Sequence, residues 1–283
     1  MTDANAQQRT YWNDEAGPVW VREQEALDTV VRPWGALALA RAKPAAGERV
    51  LDIGCGCGDT SLALAAAVGR GGCVVGTDLS APMLGRARER AADAEFAQVS
   101  FLEADAQRAA WEAAPFDLAF SRFGVMFFAD PVAAFSNLAR ALRPGGRLAF
   151  VCWQSAAANP WATVPVAAVA RVLPAPEPPA PGAPGPFALG DPDRLRAILA
   201  EAGFSGIELV AAERTPVWGE DVDAATAFFQ RVGRAGGMLA AAADVSLRER
   251  AVEALRAGLA EAADAEGRVA LGAAGWVVHA RRE

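Results

Sequence analysis

A ten-residue segment near position 50, VLDIGCGCGD, combines glycines, small side chains and two acids. Its apolar residues end at Ile53, glycine and cysteine then alternate over positions 54 to 58, and a helix is predicted to begin near Thr60. Glycines permit a tight turn, and they let a ligand touch the backbone amides at a helix N-terminus. The segment therefore predicts a loop that binds a small molecule.

Two carboxylates indicate which kind of ligand suits this loop. The dinucleotide spacing Gly-x-Gly-x-x-Gly needs a glycine at position 59, where the chain has Asp59, and Asp52 precedes the loop. Two negative charges would repel a pyrophosphate, whereas they would attract a ligand that carries positive charge. The acids thus argue against the first alternative that the glycines raise, a nicotinamide- or flavin-dependent oxidoreductase.

Further acids follow the next two apolar segments. Asp78 ends VVGTD, a position from which a carboxylate can accept both hydroxyl groups of a free ribose. Asp105 and Ala106, in FLEADA, lie where an adenine amino group can be bound, with Leu79 and Met83 as apolar walls. Each acid alone can equally be a helix cap or a loop residue. Their occurrence at successive strand ends, beside the glycine loop, favours a nucleoside site.

The elements that position these residues follow from the hydrophobic pattern. Short apolar runs alternate with helical patterns between residues 49 and 153, which indicates βαβ units, a parallel sheet and an α/β fold. Farther along the chain we expect a helix over 193–202, a strand over 206–213 and helical segments over 224–235 and 246–262. The first five predicted strands are 49–53, 73–77, 98–103, 116–120 and 147–153.

The ordered motifs VLDIGCGCGD, VVGTDLS, FLEADA, FDLAFSRFGVMFF and ALRPGGRLAF resemble class I S-adenosylmethionine (SAM)-dependent methyltransferases. They are most similar to the small-molecule branch that includes ubiquinone/menaquinone-biosynthesis C-methyltransferases, and the resemblance covers residues 47 to 153. It implies SAM as cofactor and S-adenosylhomocysteine as product. It also implies a Rossmann-like three-layer sandwich with helical cap insertions, whose seven-stranded, mostly parallel sheet has an antiparallel last strand near 276–281.

The resemblance also assigns roles by position. It places residues of the glycine loop along the methionine end of the cofactor, Asp78 on the ribose, Asp105 on the adenine, and two residues after the fourth strand beside the cofactor. The predicted cofactor-binding set is Asp52, Gly54, Cys55, Gly56, Asp59, Asp78, Leu79, Met83, Asp105, Ala106, Ser121 and Arg122.

Aromatic and apolar residues outside the nucleotide core are candidates for an acceptor pocket, because ligands of such sheets bind beyond the carboxyl ends of the strands. The N-terminal segment resembles an aromatic lid of related methyltransferases, although the same side chains can serve only to pack a helix. These residues suggest an apolar or aromatic acceptor that is methylated by in-line displacement, with alignment contributing more than a general base. The pocket candidates are Tyr11, Trp12, Trp20, Arg22, Phe123, Met126 and Trp153.

Composition restricts the partners. The net charge is -7 and the chain lacks a lysine-rich run, so nucleic acid is not expected. SRFGVMFF also stands where amino-group methyltransferases of DNA carry an Asn/Asp-Pro-Pro-aromatic motif.

We expect four free cysteines, no metal site, and a structural role for the sole histidine, His279. Without an apolar span or a leader pattern, we expect no membrane span and a cytoplasmic protein.

We expect one methyltransferase domain over residues 1–283. Residues 1–45 are its N-terminal helical lid, 46–154 its SAM-binding core, 155–190 a proline-rich connector or rim, and 191–283 the C-terminal half of the sheet with a helical insertion at 220–265. The sequence leaves the acceptor, its reacting atom and the choice between monomer and homodimer open. A SAM-binding protein that transfers no methyl group is the second alternative, because a fold does not fix a reaction.

Overall fold

The computed structural model describes residues 5–111, 115–180 and 182–283. The chain divides into two compact units. The first consists of Met1–Cys152, Ala183–Ala212 and Gly275–Glu283, and the second of Trp153–Gly182 and Glu213–Ala274. The sequence-based organisation into a single domain with a lid and a connector stays a prediction, since compactness alone does not establish how the parts function.

The described residues contain nine strands, which form one seven-stranded and one two-stranded sheet. In chain order the strands are β1 (Arg49–Ile53), β2 (Cys73–Asp78), β3 (Val99–Glu103), β4 (Phe116–Arg122), β5 (Leu142–Trp153), β6 (Phe204–Arg214), β7 (Val217–Gly219), β8 (Val269–Ala270) and β9 (Ala273–Arg282). The large sheet has the order β3-β2-β1-β4-β5-β9-β6. β1 to β5 pair in parallel, so the predicted seven-stranded, mostly parallel sheet is confirmed.

Helices cover the sheet and build the second unit. In chain order they are α1 (Ala6–Thr10), α2 (Ala16–Arg22), α3 (Gln24–Ala42), α4 (Asp59–Val68), α5 (Ala81–Asp93), α6 (Pro131–Ala141), α7 (Pro160–Val169), α8 (Pro192–Glu201), α9 (Val222–Arg231), α10 (Gly233–Ala241) and α11 (Val245–Ala260). A π-helical turn, Tyr11–Glu15, separates α1 from α2. Ser80, Asp130 and Asp191 cap the starts of α5, α6 and α8 with their side-chain oxygens.

The parallel register brings the ends of the first four strands together. Asp52 of β1 lies opposite Gly76 of β2 and Phe120 of β4, and Asp78 of β2 lies opposite Glu103 of β3. β1 and β4, in the middle of the sheet, are largely buried, with Leu51, Leu118 and Phe120 fully covered, whereas the edge strand β3 is partly exposed. The carboxyl ends of the strands therefore present the predicted acids along one edge.

Two predicted elements, the fifth strand and the helix over 224–235, differ most clearly from the structure. β5 begins at Leu142 rather than near residue 147, because Gly145 adopts a φ of 71° that lets the Pro-Gly-Gly segment continue into the strand. The helix predicted over 224–235 is divided into α9 and α10, because Val232 is extended and Gly233 has a φ of 76°. Both differences depend on glycines with positive φ, which a pattern of apolar and polar residues does not reveal.

The second unit packs its helices around an aromatic cluster. The ring of Trp218 stacks on Trp161 at 5.4 Å between centroids and lies 5.8 Å from Phe228 and 5.5 Å from Phe229. α7 and α11 approach closely, since a Cβ on Gly258 would lie 2.6 Å from the Cβ of Ala168. This unit thus has its own apolar core.

Membrane insertion through a long helix finds no support in the described ranges. There, no helix has both the length and the apolar composition that crossing a bilayer requires.

Candidate active site

The glycine loop after β1 is held in a conformation that side chains would not allow. Gly54 and Gly56 have φ values of 62° and 54°. A Cβ on Gly54 would lie 2.6 Å from the Cα of Gly124, and one on Gly56 would lie 2.8 Å from the Cε of Met83. The backbone N–H of Cys55 donates to the carbonyl of Thr77, which ties the loop to β2. The loop is therefore a fixed concave backbone of the kind that a ligand can approach closely.

Asp52 places a buried carboxylate beneath this loop. Its Oδ2 atom accepts hydrogen bonds from the hydroxyls of Thr60, at 2.7 Å, and Ser61, at 2.6 Å. Its Oδ1 atom is buried and has no hydrogen-bond partner among the described residues. Burial raises the pKa of Asp52 to about 6, although the two hydroxyls and the charge of Arg122 oppose the rise. An unpaired, buried carboxylate oxygen suits a cationic donor such as an ammonium group.

Asp78 lies at the end of β2 with both carboxylate oxygens engaged by backbone. The N–H of Gly56 donates to Oδ2 and the N–H of Ser80 donates to Oδ1, each at 2.9 Å. Burial raises the pKa of this carboxyl, and the backbone donors oppose the rise. The backbone of Leu79 is a third donor to this carboxylate. A carboxylate has about four acceptor directions, so Asp78 keeps capacity for a ribose hydroxyl beside its backbone donors.

Asp105 is contacted by a residue that the sequence did not point to. The side-chain amide of Asn5 donates to Oδ2 of Asp105 at 2.8 Å, and the N–H of Gln107 donates to Oδ1 at 2.9 Å. Asn5 is 2% exposed, and its own oxygen accepts from the N–H of Ala129 at 3.2 Å. A single asparagine near the start of a chain forms no motif, so only the folded structure identifies it.

The walls of the predicted adenine site are partly buried. Ala106 is 7% exposed, and its carbonyl accepts from the side-chain amide of Asn137 at 3.0 Å. Met83 is 4% exposed beside Gly56, while Leu79 is half-buried. A cavity of about 350 Å³ opens beside Asp105, and its lining comprises Arg9, Ala104, Asp105, Arg108 and Ala109.

The N-terminal segment docks on the connection between β2 and α5. The hydroxyl of Ser80 donates to the carbonyl of Trp12 at 2.7 Å, and the side-chain amide of Asn13 donates to the carbonyl of Leu79 at 2.9 Å. The N–H of Ala81 donates in turn to Oδ1 of Asn13 at 2.9 Å. The segment is thus attached directly after Asp78, where a lid over a ribose would have to lie.

The aromatic residues of this segment form a cluster. The ring of Trp12 contacts those of Tyr11, Trp20 and Phe127 edge to face, with centroids 5.3, 5.9 and 5.1 Å apart. Tyr11 is 43% exposed, and burial of its hydroxyl end, together with Glu15, raises its pKa. Arg22 does not join the cluster, because its exposed side chain pairs with Glu23.

The end of β4 and the turn that follows it approach the glycine loop through Ser121 and Gly124. The hydroxyl of Ser121 donates to the carbonyl of Ile53 at 2.7 Å and accepts from the N–H of Gly124 at 3.2 Å. Phe123 is a buried aromatic residue with a φ of 61°, a conformation that costs energy and is found preferentially at functional sites. Met126 is 2% exposed. Ser121 and Gly124 thus hold the turn after β4 against the glycine loop, and a role of Phe123 and Met126 in an acceptor pocket stays a prediction.

Asp59 and Arg122, both predicted beside the cofactor, contact each other. A guanidinium nitrogen of Arg122 lies 2.6 Å from Oδ2 of Asp59, and its other terminal nitrogen lies 2.8 Å from Oδ1 of Asp28. Burial alone would raise the pKa of Asp59, but hydrogen bonds and charges from Arg32 and Arg122 outweigh it and lower that pKa. Asp28, on α3, carries no motif and was not identified from the sequence.

Trp153, His279 and the cysteines complete the residues that the sequence pointed to. Trp153 begins the second unit, where its ring is 5.2 Å from that of Trp161. His279 is on β9, and burial, followed by the charge of Arg281, lowers its pKa. All four cysteines are free thiols, and burial raises the pKa of Cys57 to about 12. Over the described ranges, no group of His, Cys, Asp and Glu could hold a metal ion.

The arrangement fits SAM on its own geometry. The unpaired oxygen of Asp52 suits the ammonium of the methionine moiety, the glycine loop leaves backbone space, and Asp78 retains acceptor capacity for a ribose diol. The cofactor contacts of the individual residues stay predictions.

Known proteins share the sequence and the fold. Residues 50–146 match the family model described as "Methyltransferase domain". The chain is 38% identical over 118 residues to aklanonic acid methyltransferase DauC of Streptomyces sp. (strain C5), a match that covers 42% of this chain and 54% of DauC. A solved structure, the YcgJ protein of Bacillus subtilis, superposes with a TM-score of 0.59 at 17% identity, covering 88% of this chain and 97% of that protein.

A more extended match comes from demethylmenaquinone methyltransferase of Thermus thermophilus, which is 36% identical over 180 residues. That match covers 61% of this chain and 81% of the relative, although the chain spans only about half the length of several other curated relatives that it matches. Together with the cofactor-like geometry at the ends of β1 and β2, this similarity shows that the chain belongs to the family of SAM-dependent methyltransferases.

Proposed function

We propose that this protein transfers a methyl group from SAM to a small quinone-like or other aromatic molecule. The observation that carries the proposal is the pairing of two acids around one glycine loop. Asp52 has a buried oxygen without a hydrogen-bond partner among the described residues, and the carboxylate of Asp78 accepts from the N–H groups of Gly56 and Ser80. This combination of charge and backbone suits an amino acid joined to a ribose.

In this proposal the residues of the chain bind and align the reactants. Asp52 orients the methionine end, Asp78 the ribose and Asp105 the adenine, while Ser121 and Gly124 hold the turn after β4 against the glycine loop. When bound, SAM would supply an activated methyl group on a positively charged sulfur, and alignment of the acceptor with this group would lower the barrier to methyl transfer. Alignment can lower such a barrier by as much as about 7 to 11 kcal/mol. No general base is assigned.

The acceptor class rests on the N-terminal aromatic cluster and on the relatives. Trp12, whose ring contacts those of Tyr11, Trp20 and Phe127, is hydrogen-bonded to Ser80, two residues after Asp78. Such a cluster of aromatic rings favours a planar ring as ligand. Two relatives are named for aklanonic acid and demethylmenaquinone. With a net charge of -7, we propose a small-molecule acceptor rather than nucleic acid, and a cytoplasmic enzyme with a single methyltransferase domain.

Calorimetric titration of the purified protein with S-adenosylhomocysteine tests the cofactor, with NAD and NADP as parallel ligands. We expect the homocysteine compound alone to bind. Incubation with SAM and a panel of quinones and phenols should then yield one product whose mass is increased by one methyl substitution. Binding of a dinucleotide instead would overturn the proposal, and SAM binding without any methylated product would limit it to a binding protein.

A further inference from the structure

A network of buried charges surrounds the start of α4. Asp28 of α3 and Asp59 of α4 both contact the guanidinium groups of Arg90, on α5, and Arg122, at the end of β4. The four nitrogen–oxygen distances lie between 2.6 and 3.3 Å. Arg32 adds a more exposed contact to Asp59 at 2.8 Å. Each of the two inner guanidinium groups thus lies between the same two carboxylates.

The four inner side chains of this network are largely buried. The side chains of Asp28, Arg122, Asp59 and Arg90 are 8, 10, 14 and 16% exposed. Taking one charge out of such a group leaves its partners buried and uncompensated, a change that is far more disruptive than the loss of a surface ion pair. The arginines are consequently held in place by both acids together.

The charged network contacts the glycine loop and the residues on either side of it. Asp59 directly follows the loop, and Arg90 also donates to the carbonyl of Cys57, within the loop, at 2.8 Å. Arg122 precedes the turn whose Gly124 packs on Gly54. The arginines therefore connect the loop to α5 and to β4.

Asp28 is the contribution of α3 to this network. The side-chain amide of Gln24, one turn earlier, donates to its Oδ2 atom at 2.6 Å. Gly35 lets the same helix lie against the stem of Arg122, because a Cβ there would be 2.9 Å from the Cδ atom of that arginine. α3 thus supplies both a steric and an electrostatic support for Arg122.

We infer that Asp28 is a positioning residue for cofactor binding: it holds Arg90 and Arg122, and through them it fixes the glycine loop. Asp28 acts on the loop through the two arginines and not through a contact with the cofactor. The inference rests on the proposed function, since it concerns the affinity of the same site.

Asp28→Asn tests this role, because it removes the charge and keeps the shape. We expect affinity for S-adenosylhomocysteine to fall roughly tenfold, within the range that residues without ligand contact exert on a site. Amide hydrogen exchange over residues 54–58 should rise at the same time. Gln24→Ala, which frees Asp28 without leaving a charge unpaired, should change both quantities in the same direction by a smaller factor, and it decides the question if Asp28→Asn does not fold.

Arg147→Gln is the matched control. Arg147 contacts both carboxylate oxygens of Glu48 at 2.8 and 2.6 Å, with side chains 16 and 13% exposed, and Glu48 precedes β1 at the end away from the glycine loop. This variant should lose stability but keep its affinity. Unchanged affinity and exchange in folded Asp28→Asn, or an equal loss of affinity in Arg147→Gln, would overturn the inference. A wild-type protein that does not bind the ligand at all would instead defeat the proposed function.

Discussion

Gly54 and Gly124 approach each other so closely that neither has room for a side chain. A Cβ on Gly124 would lie 2.7 Å from the carbonyl oxygen of Ile53 and 2.8 Å from the Cα of Gly54. Both neighbours are backbone atoms, which cannot rotate away as a flexible side chain can. The turn after β4 and the glycine loop therefore constrain each other's position.

Gly124→Ala should separate these two loops. We expect the variant to lose about 1–3 kcal/mol of stability, as overpacking in a tight contact usually costs, and to bind S-adenosylhomocysteine less tightly. Gly85→Ala is the control, because nothing lies within 4 Å of its Cβ and alanine is favoured inside a helix such as α5. Thermal unfolding and calorimetry measure both effects. Wild-type affinity in Gly124→Ala would show that the contact is unrelated to ligand binding.

Asp52→Asn should raise the stability of the protein at neutral pH and lower its affinity for S-adenosylhomocysteine. Burial raises the pKa of Asp52 from 3.8 to about 6, so the folded state holds this proton more tightly than the unfolded chain. Raising the pH from about 4 to about 6 must then lower stability through this group, and the full penalty persists above pH 6. The asparagine variant, which can still accept from Thr60 and Ser61, should unfold at a higher temperature than the wild type at pH 8. That advantage should vanish near pH 4.

The same titration predicts the pH dependence of binding. A cationic ligand group beside Oδ1 favours the ionised carboxylate, so wild-type affinity for S-adenosylhomocysteine should fall as the pH drops through about 6. Asp52→Asn should bind weakly without this dependence on pH. Calorimetry at several pH values gives both curves, and parallel curves would remove Asp52 from the ligand site.

The sheet and the ends of its strands were predictable from sequence because both depend on local signals. Short apolar runs mark the strands, and Asp52 and Asp78 follow them directly. The contacts of Asn5 and Asp28 were not predictable, because each joins elements far apart in the chain, Asn5 to Asp105 and Asp28 to Arg122. Asp59 illustrates the difference: its place beside the loop follows from the motif, but its arginine partners follow only from packing.

Asp78→Asn should weaken binding of S-adenosylhomocysteine without unfolding the protein. An asparagine can accept only at one of the two positions that contact Gly56 and Ser80, and it loses the charge that strengthens a bond to a ribose hydroxyl. A bond of this kind contributes roughly 1.5 to 3 kcal/mol. Asp117→Asn is the control. Asp117 lies at the start of β4, and its carboxylate likewise accepts from a backbone N–H, that of Arg49, and from the side chain of Arg143. Equal affinities in the two variants would exclude the ribose role.

Asn5→Ala should tighten the binding of the adenine moiety. The amide of Asn5 occupies one acceptor direction of the carboxylate that is predicted to receive the adenine amino group, so a ligand that uses this direction must displace it. Removing a hydrogen bond whose net contribution is about 0.5–1.5 kcal/mol should raise affinity for S-adenosylhomocysteine by a corresponding factor. Calorimetry on both proteins measures the change. A decrease would mean instead that Asn5 orients Asp105 for its ligand.

Tyr11→Phe should lower turnover while leaving the fold intact. The residue as a whole is 43% exposed, and phenylalanine retains the ring contact with Trp12, so we expect the variant to fold. If the aromatic segment closes over the reactants, loss of the hydroxyl should reduce kcat for the acceptor found by mass screening, with S-adenosylhomocysteine affinity and Tm unchanged. Trp12→Leu removes the centre of the cluster and should affect Tm as well as kcat, since Trp12 contacts Trp20 and Phe127. If Tyr11→Phe turns over as fast as the wild type, the hydroxyl of Tyr11 has no part in the reaction and the residue only packs. Alignment of the acceptor would then depend on the rings around Trp12.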